Sequence, residues 1–213
     1  MEASRFNNLY DYKTLRFLLG LIALSLPFTV SLASSTRLYS ISGAYYTDAK
    51  YILISTLILV GILFFTYSGH SVLESRASKV AAVAAILSAI FPPACTNCSE
   101  TIASQVHFIS SAVLFLILAY FCLVPFQKNT RGARGKRARR SLVYRICGWT
   151  MLVCIAGLLF ANIFLSAGTI NEFRLTYYGE ATALIAFGIA WTVSGKMSRF
   201  FADEDELFHP FGK

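Results

Sequence analysis

Residues 102–166 hold two long apolar stretches around a strongly basic one: IASQVHFISSAVLFLILAYFCLVPF (102–126), QKNTRGARGKRARRS (127–141) and LVYRICGWTMLVCIAGLLFANIFLS (142–166). An α-helix needs roughly 20 apolar residues to cross the hydrocarbon core of a bilayer. Both apolar stretches reach that length. The pattern therefore predicts two membrane-spanning helices joined by a cationic loop.

The rest of the chain repeats this alternation of apolar and polar stretches. Hydrophobic residues make up 56% of the 213 positions and charged residues only 14%, whereas a soluble domain carries about 25% charged residues. We therefore expect an all-α polytopic membrane protein that folds as a six-helix transmembrane bundle. Its predicted spans are residues 15–35, 51–67, 80–94, 102–126, 142–166 and 178–193.

Cationic residues lie almost entirely on alternate connections between these runs. Loops rich in Lys and Arg are retained on the cytoplasmic side of a membrane. If both termini are cytoplasmic, the exterior keeps only three of the 19 cationic residues, namely Arg37, Lys50 and Arg174. The distribution therefore predicts an N-in/C-in topology with six spans.

The chain then divides into a cytoplasmic N-terminal segment (1–14), a six-span transmembrane domain (15–196) and a cytoplasmic tail (197–213). The small-x-small pattern Ser31-Leu32-Ala33 also fits cleavage of the first run as a signal peptide, which would leave five spans in the same orientation. We expect the first span to be retained, because the polar stretch before it is long and contains Asp11.

The third run differs from the others in its small side chains. Ala81, Ala85 and Ala89 recur at i, i+4 and i+8. Small residues at this spacing let helix backbones approach closely in lipid. The spacing predicts that the third span lies at the centre of the bundle.

Several polar residues fall at similar depth near the predicted outer face. Ionisable groups inside spans usually face the bundle interior or a water-filled cavity. One histidine, one asparagine and one glutamate lie near the outer ends of the last three spans, and the first outer loop adds two tyrosines and an aspartate. Together they predict an outward-facing polar pocket, with candidate ligand-binding residues Tyr45, Tyr46, Asp48, His107, Asn162 and Glu180.

These residues are open to more than one interpretation. In the first they are a structural polar cluster, with Glu180 stabilised by the dipole at the first turn of its helix. In the second they bind a ligand, or His107 acts as a general base that Glu180 orients. No catalytic residue is assigned, because no nucleophile motif is present. One histidine with scattered carboxylates is a poor metal site, so we expect no metal and no other cofactor.

Cys95 and Cys98 form a C-x-x-C pair in the second predicted outer loop. The exterior of a bacterial inner membrane is oxidising, so the pair predicts a disulfide. The other three cysteines lie in or near spans, and no second outer pair exists to pass electrons onward. This favours a structural pair over a redox or metal centre.

The basic stretch 127–141 invites a nucleic-acid interpretation, but it lies between two spans, where the topology already requires cations. A cluster of cations beside the cytoplasmic leaflet attracts anionic headgroups. We therefore expect lipid contact and no nucleic-acid partner. The predicted lipid-contacting residues are Arg131, Arg134, Lys136, Arg137, Arg139 and Arg140.

Several stretches together resemble a group of uncharacterised bacterial six-span integral membrane proteins, which are distantly similar in layout to Frag and DRAM-like proteins. The likeness covers about residues 38–196. It implies an inner-membrane location in a bacterium, a possible link to lipid remodelling, and attention to Tyr45, His107 and Glu180. The stretches that carry it are SISGAYYTDAKYILISTLILVGILFFTYSGH (40–70), Phe91-Pro92, HFISSAVLFLILAYF (107–121), RRSLVYRICGWTMLVCI (139–155) and EATALIAFGIAW (180–191).

The leading functional prediction is a multi-pass inner-membrane protein that is not an enzyme. It binds a lipid or small apolar ligand in the outward-facing pocket, or it assembles with membrane partners, including further copies of itself. One alternative is an oligomeric channel or transporter. Another is a lipid-modifying hydrolase or transferase that uses His107 as general base.

Overall fold

Helices make up most of the part of the chain that the structure describes, which is residues 2–95, 101–128, 130, 132–196 and 198–202, with side chains from Tyr12 onward. No β-strand occurs in these residues, so the predicted all-α class is confirmed. In this computed structural model the α-helices are α1 (Glu2–Ala33), α2 (Lys50–Thr66), α3 (Val72–Ile90), α4 (Ile102–Leu123), α5 (Lys136–Phe164), α6 (Ala167–Glu172) and α7 (Leu175–Ser194), and the 3-10 helices are Ser42–Tyr46 and Pro125–Gln127.

Each of the six apolar runs falls in a helix of its own, α1 to α5 and α7. Three helical stretches, Tyr12–Ala33, Ile102–Gln127 and Lys136–Phe164, are long and apolar enough to cross a membrane. Lys50–Thr66 is apolar but shorter. By length and composition, the described part of the chain therefore has three candidate membrane spans.

The long helices form a closed ring in chain order. Each packs against the next, and α7 closes the ring by packing against both α5 and α1. The helix α7 also touches α4 across the ring, whereas α3 packs mainly against α2 and α4. The expectation that the third span is central is therefore wrong. The small residues of α3 pack against the neighbouring helix α2, and α7 lies closer to the centre of the ring than α3 does.

That neighbour contact joins α3 to α2. A Cβ added at Gly61 would lie 2.8 Å from the Ile86 side chain and 3.1 Å from the Ala82 carbonyl oxygen. The alanines on this face of α3 are fully buried. The close approach expected from small side chains is present, but it joins α3 to α2 and does not draw α3 into the middle of the ring.

A tighter approach occurs between α1 and α7. A Cβ at Gly20 would lie 2.3 Å from Thr192 Oγ1, and a Cβ at Gly188 would lie 2.8 Å from the Gly20 carbonyl oxygen. Only a residue without a side chain fits at either position. The two glycines therefore define the crossing point that closes the ring.

Aromatic rings fill the middle of the ring of helices. Trp191 of α7 is fully buried, and its ring centroid lies 5.1 Å from Phe64 of α2 and 5.4 Å from Phe121 of α4. Phe187, one turn earlier on α7, lies 5.3 Å from the same indole. Burial of such rings contributes more than any other part of this core, and it leaves the centre packed.

Three helices begin before the apolar runs that they contain. The polar segment 1–14 belongs to α1, which is helical from Glu2. The helix α3 begins at Val72 and not at residue 80, because Ser71 caps it by accepting from the Glu74 N–H. The basic stretch is helical from Lys136. Of the predicted tail 197–213, residues 198–202 are described.

Candidate functional site

Glu180 holds the first loop against the start of α7. Its carboxylate accepts from the Ile41 N–H at 2.5 Å and from the Ser42 N–H and hydroxyl at 3.1 and 2.9 Å. These donors open the 3-10 helix Ser42–Tyr46. Since α7 begins at Leu175, Glu180 lies beyond its first turn, and the expected stabilisation by the dipole of its own helix is wrong.

His107 joins α4 to the end of α3. Its side chain is buried, and Nδ1 lies 2.9 Å from the carbonyl oxygen of Phe91, the C-terminal capping residue of α3. One turn further along, Ser110 Oγ lies 3.0 Å from Ser88 Oγ, which also accepts from Ser111. His107 thus belongs to a set of hydrogen bonds that fastens two neighbouring helices.

The remaining candidates of the predicted outer pocket lie on the surface or in the loop. The Tyr46 hydroxyl donates to the Pro93 carbonyl at 2.7 Å. The Lys50 ammonium lies 4.4 Å from the centroid of the Tyr45 ring. Asp48 is exposed and accepts from the neighbouring Ser35 hydroxyl. Asn162 is exposed and donates back to the Leu158 carbonyl of its own helix at 2.8 Å.

The six candidates therefore do not share one set of contacts. Tyr46 and His107 both contact the segment 91–93, Glu180 contacts residues 41–42, and Asn162 faces outward. None of the six lines either of the two cavities described below. Among the described hydrogen bonds none links His107 to Glu180.

Cys95 is disulfide-bonded, and the thiols of Cys122, Cys147 and Cys154 are free. The partner predicted for Cys95 is Cys98, which lies outside the described residues. In the part of the chain that the structure describes, no group of three or more His, Cys, Asp or Glu side chains is placed to hold a metal ion.

A cationic cavity lies at the opposite end of the bundle, where α5 begins and α7 ends. Its volume is about 360 Å³. The side chains and backbone around it come from α1, the loop before α3, the Pro125–Gln127 turn, α5 and the end of α7. We call it the basic cavity, and it is lined by Arg16, His70, Pro125, Phe126, Thr130, Arg137, Arg140, Tyr144, Ser194 and Lys196.

Four lining residues carry a positive charge at neutral pH. Arg16 donates from Nε and Nη2 to the Tyr67 hydroxyl at 3.1 and 2.6 Å, and its guanidinium lies 5.0 Å from the Phe126 ring centroid. Arg140 is only 2% exposed, and its Nη1 donates to the Phe201 carbonyl at 2.5 Å. Contacts with an aromatic face and a backbone carbonyl hold these two guanidinium groups in place.

His70, at the rim of the basic cavity, adds little charge at neutral pH. Partial burial, and then the nearby positive charge of Arg16, lower the pKa of His70. The adjacent carboxylate of Glu74 is almost fully buried, accepts from the His70 N–H at 2.9 Å, and pairs with Lys128 at 3.0 Å. The cavity therefore owes its charge to arginine and lysine.

The residues predicted to contact anionic lipid lie in different environments. Arg134, Arg137 and Arg139 are exposed, while Lys136 is half-buried. Arg140 is buried and faces the basic cavity instead of the surface. Arg131 lies outside the described residues.

The basic stretch was recognisable in the sequence, but its position beside residues of α1 and α7 in one cavity was not predicted. Arg16 and Lys196 lie inside or beside apolar runs and look like ordinary cytoplasmic flanking charges. The signal that was available is that an arginine one turn into an apolar run needs a buried partner, since an isolated charge there is expensive. Tyr67 is that partner.

A second, apolar cavity of about 350 Å³ lies between α5 and α7, nearer the opposite end of the bundle. Small residues on both helices, such as Gly157 and Gly179, form part of its wall.

No family model matches the chain, and no curated protein or solved structure matches it.

Proposed function

We propose that this is a multi-pass membrane protein with six spans and both termini in the cytoplasm, and that it binds the phosphate-bearing headgroup of an anionic lipid in the basic cavity. The single observation that carries the proposal is the convergence of four cationic side chains around one cavity. The lipid-binding class expected from the sequence is kept, but the binding site moves from the outer to the cytoplasmic end.

The arrangement of the helices supports six spans. Three helices are long enough to cross a bilayer unaided, and α2, α3 and α7 pack alongside them in one ring. Shorter helices cross by tilting less or by locally thinning the bilayer. The cationic loops then all fall at the end that holds the basic cavity, as retention of positive charge in the cytoplasm requires.

The chemistry of the basic cavity suits a phosphodiester. Arginine guanidinium groups donate two parallel hydrogen bonds to phosphate oxygens, and lysine adds a point charge. Arg137, Arg140 and Lys196 bring such groups to the lining of the cavity, which also includes Tyr144 and Ser194. A cavity at the level of the cytoplasmic leaflet meets anionic headgroups at high local concentration.

The alternatives receive less support. A pore through one copy of the chain is disfavoured by the packed aromatic centre around Trp191. General-base catalysis by His107 is disfavoured because the His107 side chain is buried and because Glu180, which was predicted to orient it, binds the first loop instead.

Native mass spectrometry of the purified protein with added phosphatidylglycerol or phosphatidylcholine tests the proposal. We expect phosphatidylglycerol to remain bound and phosphatidylcholine to bind more weakly. The double variant Arg137→Gln/Lys196→Gln should weaken phosphatidylglycerol binding at least tenfold, because a charge-assisted hydrogen bond contributes about 1.5–3 kcal/mol.

The matched control is Arg134→Gln, which removes a cation that is exposed and does not line the cavity. Its affinity for phosphatidylglycerol should stay within about twofold of the unchanged protein, since Arg134, unlike Arg137, lies outside the cavity lining and a surface charge away from the site contributes about 1 kcal/mol or less. Equal losses in the control and the double variant would mean that the whole basic surface attracts lipid without any site, and the proposal would be wrong.

A further inference from the structure

Arg16 enters the basic cavity from α1, and its guanidinium is fixed by contacts on two sides. Nε and Nη2 donate to the Tyr67 hydroxyl at 3.1 and 2.6 Å. The guanidinium carbon lies 5.0 Å from the Phe126 ring centroid. Tyr67 is fully buried, and its ring centroid lies 5.5 Å from that of Trp191 in the packed aromatic centre. The acceptor of Arg16 is therefore held by the core of the bundle.

These contacts use one edge of the guanidinium and leave another. An arginine side chain has five N–H donors in a planar fork. The Tyr67 hydroxyl accepts one hydrogen from Nε and one from Nη2, so both hydrogens on Nη1 and one on Nη2 remain. Among the described residues, Arg16 has no further hydrogen-bond acceptor. Two adjacent nitrogens that each keep a hydrogen match two oxygens of one phosphate.

The other cations of the basic cavity are engaged elsewhere. Arg140 Nη1 donates to the Phe201 carbonyl at 2.5 Å. Arg137 and Lys196 also have interactions with other groups of the protein. Arg140 is almost fully buried, whereas Arg16 is only partly buried. The cation most available to an incoming anion is therefore Arg16.

We propose that Arg16 makes the direct contact with the headgroup phosphate in the basic cavity, and that Tyr67 is the positioning residue that presents it. This inference rests on the proposed function, because it names the contact by which that site recognises its ligand. Positioning matters because a flexible arginine loses conformational freedom on binding, whereas Arg16 is held in place before the ligand arrives. Tyr67 does not line the cavity, so it acts through Arg16.

Binding of short-chain phosphatidylglycerol tests the contact. Arg16→Gln should weaken binding at least tenfold, because it removes a charge-assisted hydrogen bond to the phosphate. Arg16→Lys should recover only part of the affinity, since lysine lacks the planar fork. The matched control is Arg76→Gln, which removes an exposed cation of α3 outside the cavity lining and should change the affinity less than about twofold. Equal losses for Arg16→Gln and Arg76→Gln, or full recovery with lysine, would overturn the assignment.

A double-mutant cycle tests the positioning role of Tyr67. Tyr67→Phe keeps the buried ring and removes the acceptor, and it should weaken phosphatidylglycerol binding about three- to tenfold. In the Arg16→Gln background the same change should cost less than about twofold, because Tyr67 acts through Arg16. A tyrosine that only stabilises the fold would weaken binding equally in both backgrounds. Tyr120→Phe, a partly buried position on α4 outside the cavity lining, should leave the affinity unchanged.

Titration of His70 reports on the position of Arg16 without any ligand. Partial burial lowers the pKa of His70 most, and the charge of Arg16 lowers it next. If Tyr67→Phe releases the guanidinium, the pKa of His70 should rise, measured by NMR of isotope-labelled histidine with His70→Gln to assign the signal. An unchanged pKa would show that Tyr67 does not hold Arg16. The other charged groups near this imidazole stay the same in the variant, namely Glu74, Lys128 and Lys196.

The outcomes separate this inference from the proposed function. If Arg137→Gln/Lys196→Gln loses phosphatidylglycerol while Arg16→Gln and Tyr67→Phe keep it, the contact by Arg16 fails and the binding site stands. If the unchanged protein binds no phosphatidylglycerol, the proposed function fails, and the titration of His70 still decides whether Tyr67 positions Arg16.

Inorganic phosphate, titrated separately, distinguishes a free anion from a headgroup. Parallel losses of phosphate and lipid binding in Arg16→Gln mean that Arg16 binds phosphate from either source, and a loss for the lipid alone means that it binds only the headgroup. If Arg16→Gln does not fold, Arg16→Lys and Tyr67→Phe decide the proposal, since they keep the charge and the aromatic ring.

Discussion

At the scale of single residues, Glu180 and His107 serve the packing of the chain. Both are polar groups within apolar stretches, and such groups must find partners because burying them unpaired is costly. Glu180 finds the backbone of residues 41–42, and His107 finds the Phe91 carbonyl. A structural role is sufficient to explain both residues.

Replacing Glu180 with glutamine should loosen the first loop. The amide keeps one acceptor oxygen but loses the charge that strengthens three hydrogen bonds. We expect a loss of about 1–3 kcal/mol in the free energy of unfolding, measured by thermal unfolding in detergent, with faster proteolysis within residues 36–49. Glu172→Gln, an exposed glutamate on α6, is the control. Equal stability of the two variants would contradict the anchoring role.

His70 predicts how lipid binding depends on pH. Partial burial lowers the pKa of His70 most, and the positive charge of Arg16 lowers it next. The Glu74 carboxylate raises this pKa, whereas Lys196 and Lys128 lower it further. The side chain is therefore neutral at pH 7, and binding of phosphatidylglycerol should be flat from pH 8 to pH 7. Binding should tighten only at pH values below the ordinary histidine pKa of about 6.5, where protonation adds a cation to the cavity rim.

The size of that change should be no more than about fivefold, because His70 is exposed and such interactions are worth about 1 kcal/mol or less. The variant His70→Gln should remove it while leaving the affinity at pH 8 unchanged. If binding of phosphatidylglycerol by the His70→Gln variant tightened equally at low pH, the protonation of a group other than His70 would be responsible.

At the scale of helices, the contact of α1 with α7 closes the ring. Gly20 and Gly188 allow the two backbones to approach where any side chain would collide with a neighbour. In lipid, close packing of this kind is a main source of helix association, because apolar side chains gain little from leaving lipid. The ring therefore depends on these two positions more than on the bulkier residues around them.

The variant Gly188→Leu should destabilise the bundle by about 1–3 kcal/mol or more, as overpacking does elsewhere. A lower midpoint of thermal unfolding in detergent would show it. Gly157→Leu is the matched control, since Gly157 also lies within a helix but has no atom within 4 Å of the position of an added Cβ. If Gly157→Leu lowered the midpoint as much as Gly188→Leu, the crossing would not be the cause.

At the scale of the whole molecule, the ring has two chemically different ends. One end carries the first loop, tied to α7 by Glu180 and by the Arg174 side chain, which donates to the Leu38 carbonyl at 2.8 Å. The other end carries the basic cavity. This polarity matches the positive-inside rule and underlies the proposed topology.

Labelling of single cysteines with a membrane-impermeant reagent tests that topology. Cysteines in place of Asp48 and Glu172, both exposed, should react in intact cells. A cysteine in place of Arg134 should react only after permeabilisation. Reaction of position 134 in intact cells would reverse the orientation, and reaction of all three positions would show that the chain does not span the membrane as proposed.

Much of the architecture was predictable because its signals are local in the chain. An apolar run of span length specifies a helix wherever it packs, so the six runs lie in six helices. The end of α3 before Pro92 and Pro93 follows from the missing N–H of proline. The early start of α3 was missed because its first turns are polar, and a cap such as Ser71 is less visible than a change in hydrophobicity.

The sequence by itself determined the helical class, the positions of the apolar runs within helices and the asymmetry of charge along the chain. The tertiary structure decided that α7 is more central than α3, that the outer polar residues bind loop and backbone, and that Arg16 meets Lys196 in one cavity. The physical reason is distance along the chain. Hydrophobicity and capping act over a few residues, whereas a cavity needs side chains from distant helices, whose contacts are set by how closely glycines such as Gly20 and Gly188 let those helices pack.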